Sequence, residues 1–269
     1  MRWLAAGLMT IGLAVSAFAQ ALPYHTDPNA REEQPDLSLV PAIRFLTPAD
    51  FPPFNYRDSN GALIGFHIDL AKSICDQLAV ACTVQAWPWD QVTDALADNQ
   101  GDALIAGLAL NDITAEQFDF SSIYLMLPAR FVARRGATPE IDPMALAGTS
   151  VAVRAGSAHA RYLETYFPDT AQTPFETEIL GLEAVRDGEA DLFFGDAMRA
   201  AYWLNQNLDC CAFAGEAYFS PDYFGPGFTV AVPAGRGAVR EAINYALSRL
   251  KRDGKLDELY LRWFPISFY

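Results

Sequence analysis

Short apolar runs alternate with longer amphipathic segments along most of the chain, beginning at Ala42. The runs AIRFLTP, CTVQAWP and DALIAGLAL have the length of strands, whereas FHIDLAKSICDQL and WDQVTDALADNQ place apolar residues at helical spacing. Strands that alternate with helices are typical of a mostly parallel sheet covered by helices. The pattern therefore predicts an α/β fold.

The same rhythm restarts in the second half of the chain. TSVAVRAGS and ADLFFGD are predicted strands, and AHARYLETYF, GLEAVRDGE and AMRAAYWLNQN are predicted helices. GFTVAVP adds one more strand, and the helical segment after it needs a sheet face on which to pack. We therefore predict a first lobe over residues 42–132, a second lobe over 133–225, and a return to the first lobe over 226–269.

A chain that returns to its first lobe crosses between the lobes twice. The predicted crossings lie near Phe131 and between Phe224 and Gly227. Two such crossings form a hinge. Ligands of open α/β sheets bind in the crevice at the carboxyl ends of the strands, so we expect a binding site between the two lobes.

The beginning of the chain differs from the rest in composition. Arg2 precedes an apolar run that ends in Ala17-Phe18-Ala19, which predicts a secretory signal peptide over residues 1–19. A membrane anchor is the alternative interpretation, but the run is short and ends in small residues. Residues 20–41 are polar and contain prolines, which favours a flexible leader. No later run is long and apolar enough to span a membrane, so we expect the mature protein to function outside the cytoplasm.

Charge and motif content limit the possible functions. The formal net charge is −14 at pH 7, which argues against nucleic acid as a partner because such partners require clustered Lys and Arg. Motifs of serine hydrolases, zinc proteases, nucleotide-binding loops and dinucleotide-binding enzymes are missing. His25, His67 and His159 are too scattered for a metal set or a catalytic triad. We therefore predict no metal and no cofactor.

The four cysteines are expected to meet an oxidising compartment, where disulfides persist. Cys75 and Cys82 frame the segment in which a helix ends and a strand begins, so we favour a bridge there over two buried thiols. Cys210 and Cys211 are adjacent, and two interpretations stay open: a strained ring, or two buried strand residues with free thiols.

Several segments together resemble one family. DFPPFNYRDSNGALIGFHIDLAKSIC, WDQVTDALADNQGDALIAGLALNDITAEQFDFS, VAVRAGS, ADLFFGD and INYALSRLKRDGKLDELYLRWF are similar, in this order, to extracellular solute-binding proteins of the polar amino-acid uptake family. The resemblance covers nearly all of residues 42–264. It implies the type II periplasmic-binding-protein fold, and the spacing of Cys75 and Cys82 matches a disulfide of some members.

The resemblance also implies a mechanism. Two lobes of a monomeric binding protein close over one small polar solute, and an ABC permease in the inner membrane recognises the closed form. Such a clamp is a two-state equilibrium that the ligand shifts by touching both lobes only when they are closed. This mechanism breaks no covalent bond, so we expect a binding protein and not an enzyme.

Carried over residue by residue, the resemblance implies a ligand-binding set. Phe51 and Trp89 fall where the family places two aromatic rings, and such rings attract cations by about 0.5 to 2 kcal/mol. Asp196 matches the carboxylate that pairs with the ligand's ammonium group, and Ser157 matches a helix start that meets an anionic group. A core position for Trp89 and plain helix capping by Asp196 and Ser157 are the alternative interpretations. Gly107 is expected to let its backbone approach the ligand.

The chain departs from the family at the carboxylate anchor. After the strand that corresponds to DALIAGLAL, amino-acid-binding members carry a Ser or Thr and then an arginine, whereas this chain has Ala109 and Thr114 at these positions. Ala158 replaces a further threonine of the family. The lost guanidinium removes about 1.5 to 3 kcal/mol of charge-assisted hydrogen bonding, and Thr114 still offers a hydroxyl. Arg154 is a candidate replacement that meets a carboxylate or pairs with Asp196; an arginine in solvent is the alternative.

Two other functional classes stay open at this point. Relatives with this fold include dehydratases of cyclic carboxylic acids, but that chemistry needs a general acid, and no carboxylate stands out for it in the sequence. A ligand-sensing or accessory binding protein without a permease is the second alternative. Arg130 lies near the first predicted crossing and is interpreted as a hinge or surface residue.

Overall fold

The computed structural model describes residues 33–137 and 139–269. The predicted signal peptide, residues 1–19, and residues 20–32 of the predicted leader lie outside the described residues. The strands in chain order are β1 Ala42–Thr47, β2 Asp50–Phe51, β3 Asn55–Arg57, β4 Leu63–Ile64, β5 Ala81–Ala86, β6 Ala103–Leu104, β7 Phe118–Phe120, β8 Ala129–Arg134, β9 Ser150–Arg154, β10 Ala171–Phe175, β11 Leu192–Asp196, β12 Cys211–Tyr218 and β13 Ala231–Pro233.

The helices alternate with these strands, as the hydrophobic pattern predicted. In chain order they are α1 Phe66–Leu78, α2 Val92–Ala97, α3 Asp112–Ala115, α4 Ala158–Tyr166, α5 Glu178–Asp187, α6 Ala197–Leu204, α7 Pro221–Phe224, α8 Gly237–Arg252 and α9 Lys255–Trp263. No helix within residues 33–137 and 139–269 is long and apolar enough to cross a bilayer.

The first sheet has the strand order β5-β1-β6-β13-β7. Strand β1 runs parallel to β5 and β6, and β13 joins antiparallel to β6 and β7. The apolar stripes of α1, α8 and α9 form one buried core with this sheet, which includes Phe45, Phe66 and Tyr260. A small antiparallel sheet, β2-β3-β4, lies beside it.

The second sheet has the strand order β10-β9-β11-β8-β12. Strand β9 runs parallel to β10 and β11, whereas β8 runs antiparallel to β11 and β12. One face of the sheet packs against α4 around Phe131 and Phe194, and the other packs against α5 and α6 around Phe193. The two sheets give the two-lobed α/β arrangement that the sequence predicted.

The chain crosses between the sheets earlier than predicted. Strand β8 begins at Ala129 and pairs with β11 and β12, so Phe131 lies inside the second sheet and is fully buried. The crossing segment is instead 121–128. It meets the returning segment at an antiparallel bridge between Leu125 and Phe228. The alternating apolar residues after Pro128 pair with β11 and β12 as a strand. Because of this pairing, the second lobe begins at Ala129 and not at residue 133.

The folded lobe also begins ahead of residue 42. Leu37–Leu39 forms a short 3-10 helix, and the side chain of Asp36 caps it by accepting from the Ser38 N–H at 3.0 Å. Val40 is 2% exposed and belongs to the core of the first lobe. Burial of this apolar side chain fixes the end of the predicted leader against the lobe.

Both cysteine pairs are bridged. The Cys75–Cys82 disulfide joins the last turn of α1 to the start of β5, which confirms the predicted bridge. Cys210 and Cys211 form a disulfide between adjacent residues at the start of β12. Of the two interpretations for Cys210 and Cys211, the structure therefore agrees with the disulfide ring and not with free thiols.

Candidate ligand-binding site

The predicted site residues follow the carboxyl ends of parallel strands. In the first lobe β1 ends at Thr47 and is followed by Phe51 in β2, and β5 ends at Ala86 and is followed by Trp89 in the next loop. In the second lobe β9 ends at Arg154 and β11 at Asp196. Because parallel strands end at the same edge of a sheet, each lobe collects its candidate side chains on one edge.

In the second lobe, the edge at which β9 and β11 end lies close to the first lobe. The first turns of α6 contribute Ala197, Met198 and Ala201 to the apolar core of the first lobe, beside Tyr124 and Phe228. Asp196 immediately precedes these residues. The carboxylate of Asp196 therefore lies at the junction of the two lobes.

The two predicted ligand rings have different surroundings. The ring of Phe51 stacks on Phe54 with centroids 5.0 Å apart and meets the edge of Phe228 at 6.4 Å, so packing fixes its orientation. Trp89 is 52% exposed, which makes it one of the large apolar side chains that the fold leaves in contact with water. This exposure contradicts the alternative of a core tryptophan. No ring contact joins Phe51 to Trp89 among the described residues.

Gly107 lies against an aromatic ring of its own lobe. Its backbone has φ +75°, and a Cβ atom at this position would stand 2.8 Å from Cε1 of Phe228. The glycine is therefore required for packing against Phe228, which in turn contacts Phe51. Approach to a ligand, as predicted, is a separate role that this contact does not test.

The hydroxyl of Thr114 is used within its own turn. Its Oγ1 donates to the carbonyl of Ala109 at 2.6 Å and accepts from the N–H of Asn111 at 3.1 Å, while the Asn111 side chain accepts from the Thr114 N–H. This reciprocal capping box begins helix α3. The hydroxyl therefore donates its proton to the Ala109 carbonyl and, in this geometry, not to a ligand as expected.

Two predicted site residues of the second lobe cap helices. Ser157 is 3% exposed, and its Oγ accepts from the Ala160 N–H at 3.1 Å at the start of α4. Asp196 accepts from the Arg199 N–H at 2.8 Å at the start of α6. Burial raises the pKa of Asp196, although the backbone N–H and the guanidinium of Arg199 oppose this rise. Within the described chain the Asp196 carboxylate makes no ion pair, so its charge is available to a cation.

Arg154 ends strand β9 and is exposed. Its side chain makes no hydrogen bond or ion pair with any residue that the structure describes, so the predicted pair with Asp196 is not formed. Its charge nevertheless lowers the pKa of Asp196 and of His159, which places the guanidinium at the same edge of the second sheet.

Three further residues of this edge were not among the predicted site residues. They are His159, Glu178 and Arg199. His159 follows the Ser157 cap and stacks on Phe224 with centroids 4.7 Å apart; burial, Arg154 and Arg199 lower its pKa to about 4. Glu178 begins α5 and is 7% exposed, and Arg199 lies in the first turn of α6. Their positions just after strand ends were the available signal.

The charges at this edge sum to zero when His159 is neutral. Arg154 and Arg199 contribute two positive charges, and Glu178 and Asp196 contribute two negative charges. No group of three or more His, Cys, Asp or Glu side chains in the described residues could hold a metal ion. The edge therefore presents both cationic and anionic side chains with no net charge.

Comparison with known proteins agrees with this architecture. The model of the bacterial extracellular solute-binding proteins, family 3, matches residues 43–266. A putative ABC transporter arginine-binding protein 2 of Escherichia coli K12 is 30% identical over 222 residues, which cover 82% of this chain and 90% of that protein. The solved structure of an ancestral cationic amino acid solute-binding protein is 26% identical, with a TM-score of 0.68 and coverage of 85% of this chain and 97% of that chain.

An ancestral cyclohexadienyl dehydratase shares the fold. That structure is 21% identical, with a TM-score of 0.68, and the match covers 86% of this chain and 95% of that chain. At this identity the likeness concerns the fold alone.

The fold and the junction site define a two-lobed solute-binding protein. The chain belongs to the bacterial extracellular solute-binding proteins, family 3. The resemblance found in the sequence and the predicted fold class are confirmed.

Proposed function

We propose that this protein captures a small amino-acid-like solute by closure of its two lobes in the periplasm and delivers it to an ABC importer. The observation that carries the proposal is the half-buried Asp196 carboxylate, which lies at the junction of the lobes and lacks an ion-pair partner among the described residues. Such a carboxylate binds an ammonium group strongly because few waters compete for it. Relatives named as arginine-binding proteins of ABC transporters support the same solute class.

The ligand has an anionic group as well as an ammonium group. The Arg154 side chain stands at the end of β9 without a hydrogen-bond or ion-pair partner in the described part of the chain, and it replaces the first-lobe arginine that the family places at the position of Thr114. A guanidinium and a carboxylate on the same edge suit the two charges of a zwitterion. Phe51 and Trp89 supply apolar area from the first lobe, and Ser157 orients the start of α4. Lobe closure would bring the two sets together.

The experiment is a thermal-shift screen of residues 20 onward against amino acids, opine-like conjugates, polyamines and small carboxylates. A ligand at a thousand times its dissociation constant adds about 4 kcal/mol to the free energy of unfolding. Calorimetry then compares the wild type with Asp196→Asn, since asparagine caps a helix as well as aspartate does and the fold is retained. Asp169→Asn, an exposed substitution in the same lobe, is the matched control.

The proposal predicts that Asp196→Asn abolishes measurable binding of an ammonium-bearing compound and that Arg154→Gln weakens binding of those with a carboxylate. Asp169→Asn leaves affinity unchanged. If Asp196→Asn binds as tightly as the wild type, the proposed role of this edge is wrong. A shift confined to compounds without an α-carboxylate would show that Arg154 does not replace the missing anchor.

A dehydratase remains the enzymatic alternative, and the structure supplies one buried carboxylate for it. Glu178 is 7% exposed, and burial raises its pKa, as a general acid requires. Its Oε2 nevertheless lies 3.3 Å from Nε of Arg199, and an adjacent cation favours the ionised form over a proton donor. Binding is therefore the better supported function. Recovery of each screened compound unchanged after incubation with the protein tests this choice.

A further inference from the structure

Glu178 and Arg199 form an ion pair behind the proposed ligand carboxylate. The Nε of Arg199 lies 3.3 Å from Oε2 of Glu178, whose side chain is 8% exposed. This oxygen accepts no hydrogen bond within the described residues. A buried carboxylate without a compensating cation costs several kcal/mol, so the guanidinium is the group that stabilises Glu178 in this position.

Arg199 is also a neighbour of Asp196. Its N–H donates to the Asp196 carboxylate at 2.8 Å, because Asp196 caps the helix in which Arg199 occupies the first turn. Side chains three positions apart at the start of a helix lie on the same face, and opposite charges at this spacing pair readily. The guanidinium nevertheless forms its ion pair with Glu178 and not with Asp196.

We propose that Glu178 is a positioning residue that holds the Arg199 guanidinium away from Asp196 and thereby leaves the Asp196 carboxylate to the ammonium group of the ligand. The two carboxylates compete for one cation, and the guanidinium is found beside Glu178. Glu178 makes no contact with the ligand in this role. The inference rests on the proposed function, in which Asp196 binds an ammonium group.

The electrostatic contacts agree with this arrangement. Arg199 lowers the pKa of both carboxylates, so its charge reaches Asp196 even from its place beside Glu178. Asp196 in turn raises the pKa of Glu178, which shows that the two acids are close enough to compete. Arg199 is 60% exposed, so its side chain has room to turn toward Asp196 when Glu178 is replaced.

The first test needs no ligand. A crystal structure of Glu178→Gln is expected to show the Arg199 guanidinium in an ion pair with the Asp196 carboxylate. An Arg199 side chain that stays beside residue 178 or extends into solvent would overturn the proposal. If Glu178→Gln does not fold, Glu178→Asp, which withdraws the carboxylate by one methylene, is examined in the same way.

The second test is a double-mutant cycle by calorimetry. L-arginine is the probe, or the ammonium-bearing compound with the largest thermal shift if the wild type does not bind L-arginine. Glu178→Gln should weaken binding by about fivefold, the upper range for an ion pair of an exposed side chain. Arg199→Gln should leave affinity within about twofold of the wild type, and the double variant should recover it, because no competitor for Asp196 remains.

The outcomes separate this inference from its alternatives. If Glu178 acted only through its charge, Arg199→Gln would gain as much affinity as Glu178→Gln loses, and the positioning role would be wrong. Unchanged binding by Glu178→Gln, together with abolished binding by Asp196→Asn, would overturn the inference and leave the proposed function intact. Unchanged binding by Asp196→Asn would instead contradict the proposed function itself.

Discussion

The hydroxyl of Tyr269 lies 3.1 Å from both the backbone nitrogen and the carbonyl oxygen of Met126. It accepts from the N–H and donates to the carbonyl, so one side chain satisfies both polar groups of a residue in the first crossing segment. The ring of Tyr269 also stacks on Phe219, the first residue after β12, with centroids 6.0 Å apart. Arg130, near the start of β8, donates to the carbonyl of Tyr269 at 3.3 Å. Tyr269 thus connects the first crossing segment to the second lobe.

Tyr269→Phe should therefore lower the free energy of unfolding by about 1 to 3 kcal/mol, since two partly buried backbone groups lose their partner. Urea denaturation followed by circular dichroism measures the change. Tyr166→Phe is the matched control because the Tyr166 side chain is 49% exposed. Equal stability of the two variants would show that the Tyr269 hydroxyl contributes nothing to the folded state.

A buried hydrogen-bond chain runs from the β1 end to the first crossing. The Asn55 amide donates to the Pro48 carbonyl at 3.0 Å, and its oxygen lies 2.7 Å from Nδ1 of His67. Nε2 of His67 lies 2.8 Å from the Tyr124 hydroxyl. Because the Asn55 oxygen only accepts, Nδ1 carries the proton and Nε2 accepts from Tyr124. Neutral His67 satisfies this chain, whereas protonated His67 would present two donors.

The pH dependence of stability follows from His67. Burial lowers its pKa from 6.5 to about 3 in the folded protein. Between these values the unfolded chain binds a proton that the folded protein does not, so this contribution to stability is complete above pH 6.5 and is lost as the pH falls toward 3. The loss is about 1.4 kcal/mol per pH unit.

His67→Gln, which does not titrate, should lack this slope. The difference in unfolding free energy between the wild type and the variant should therefore shrink as the pH falls from 6.5 toward 4, measured by urea denaturation at each pH. His159 titrates in the same window in both proteins and cancels in the comparison. Parallel pH profiles would contradict the neutral assignment of His67.

Removal of the Cys75–Cys82 bridge should cost more than removal of the Cys210–Cys211 bridge. The first closes a loop between α1 and β5, and loop closure of this length contributes about 2 to 3 kcal/mol through the unfolded state. The Cys210–Cys211 bridge joins adjacent residues, so it removes little conformational entropy from the unfolded chain. Paired Cys→Ala variants, compared by denaturation without reductant, measure both losses. A larger loss for the Cys210 and Cys211 pair would show that local ring geometry dominates.

Gly107→Ala should lower stability and weaken ligand binding together. The new Cβ would meet the Phe228 ring at 2.8 Å, and displacement of that ring disturbs Phe51, whose ring is 6.4 Å away. Gly61→Ala is the control for backbone strain: its φ is +80°, but no atom lies within 4 Å of the added Cβ. We expect Gly61→Ala to lose about 1 to 2 kcal/mol of stability with unchanged affinity, and Gly107→Ala to lose more. Equal losses would mean that Phe228 adapts to the added methyl.

The extent of the second lobe shows where sequence reasoning reached its limit. The apolar spacing of β8 indicated a strand, but the spacing does not state which sheet the strand joins. That choice came from antiparallel pairing with β11 and β12, which are formed about 60 to 80 residues later in the chain. Thr114 gives a second example, because its hydroxyl was predicted for a ligand and is bound by Ala109 five residues earlier.

The sequence by itself determined the α/β pattern, the family, the Cys75–Cys82 bridge and the residues that follow the strand ends, because each depends on local spacing and residue type. Only the tertiary structure decided which charges meet. Asp196 and Arg199 are three positions apart, whereas the partner of Arg199 is Glu178 on another helix. Ion pairing depends on distance and burial in three dimensions, which the order of residues along the chain does not specify.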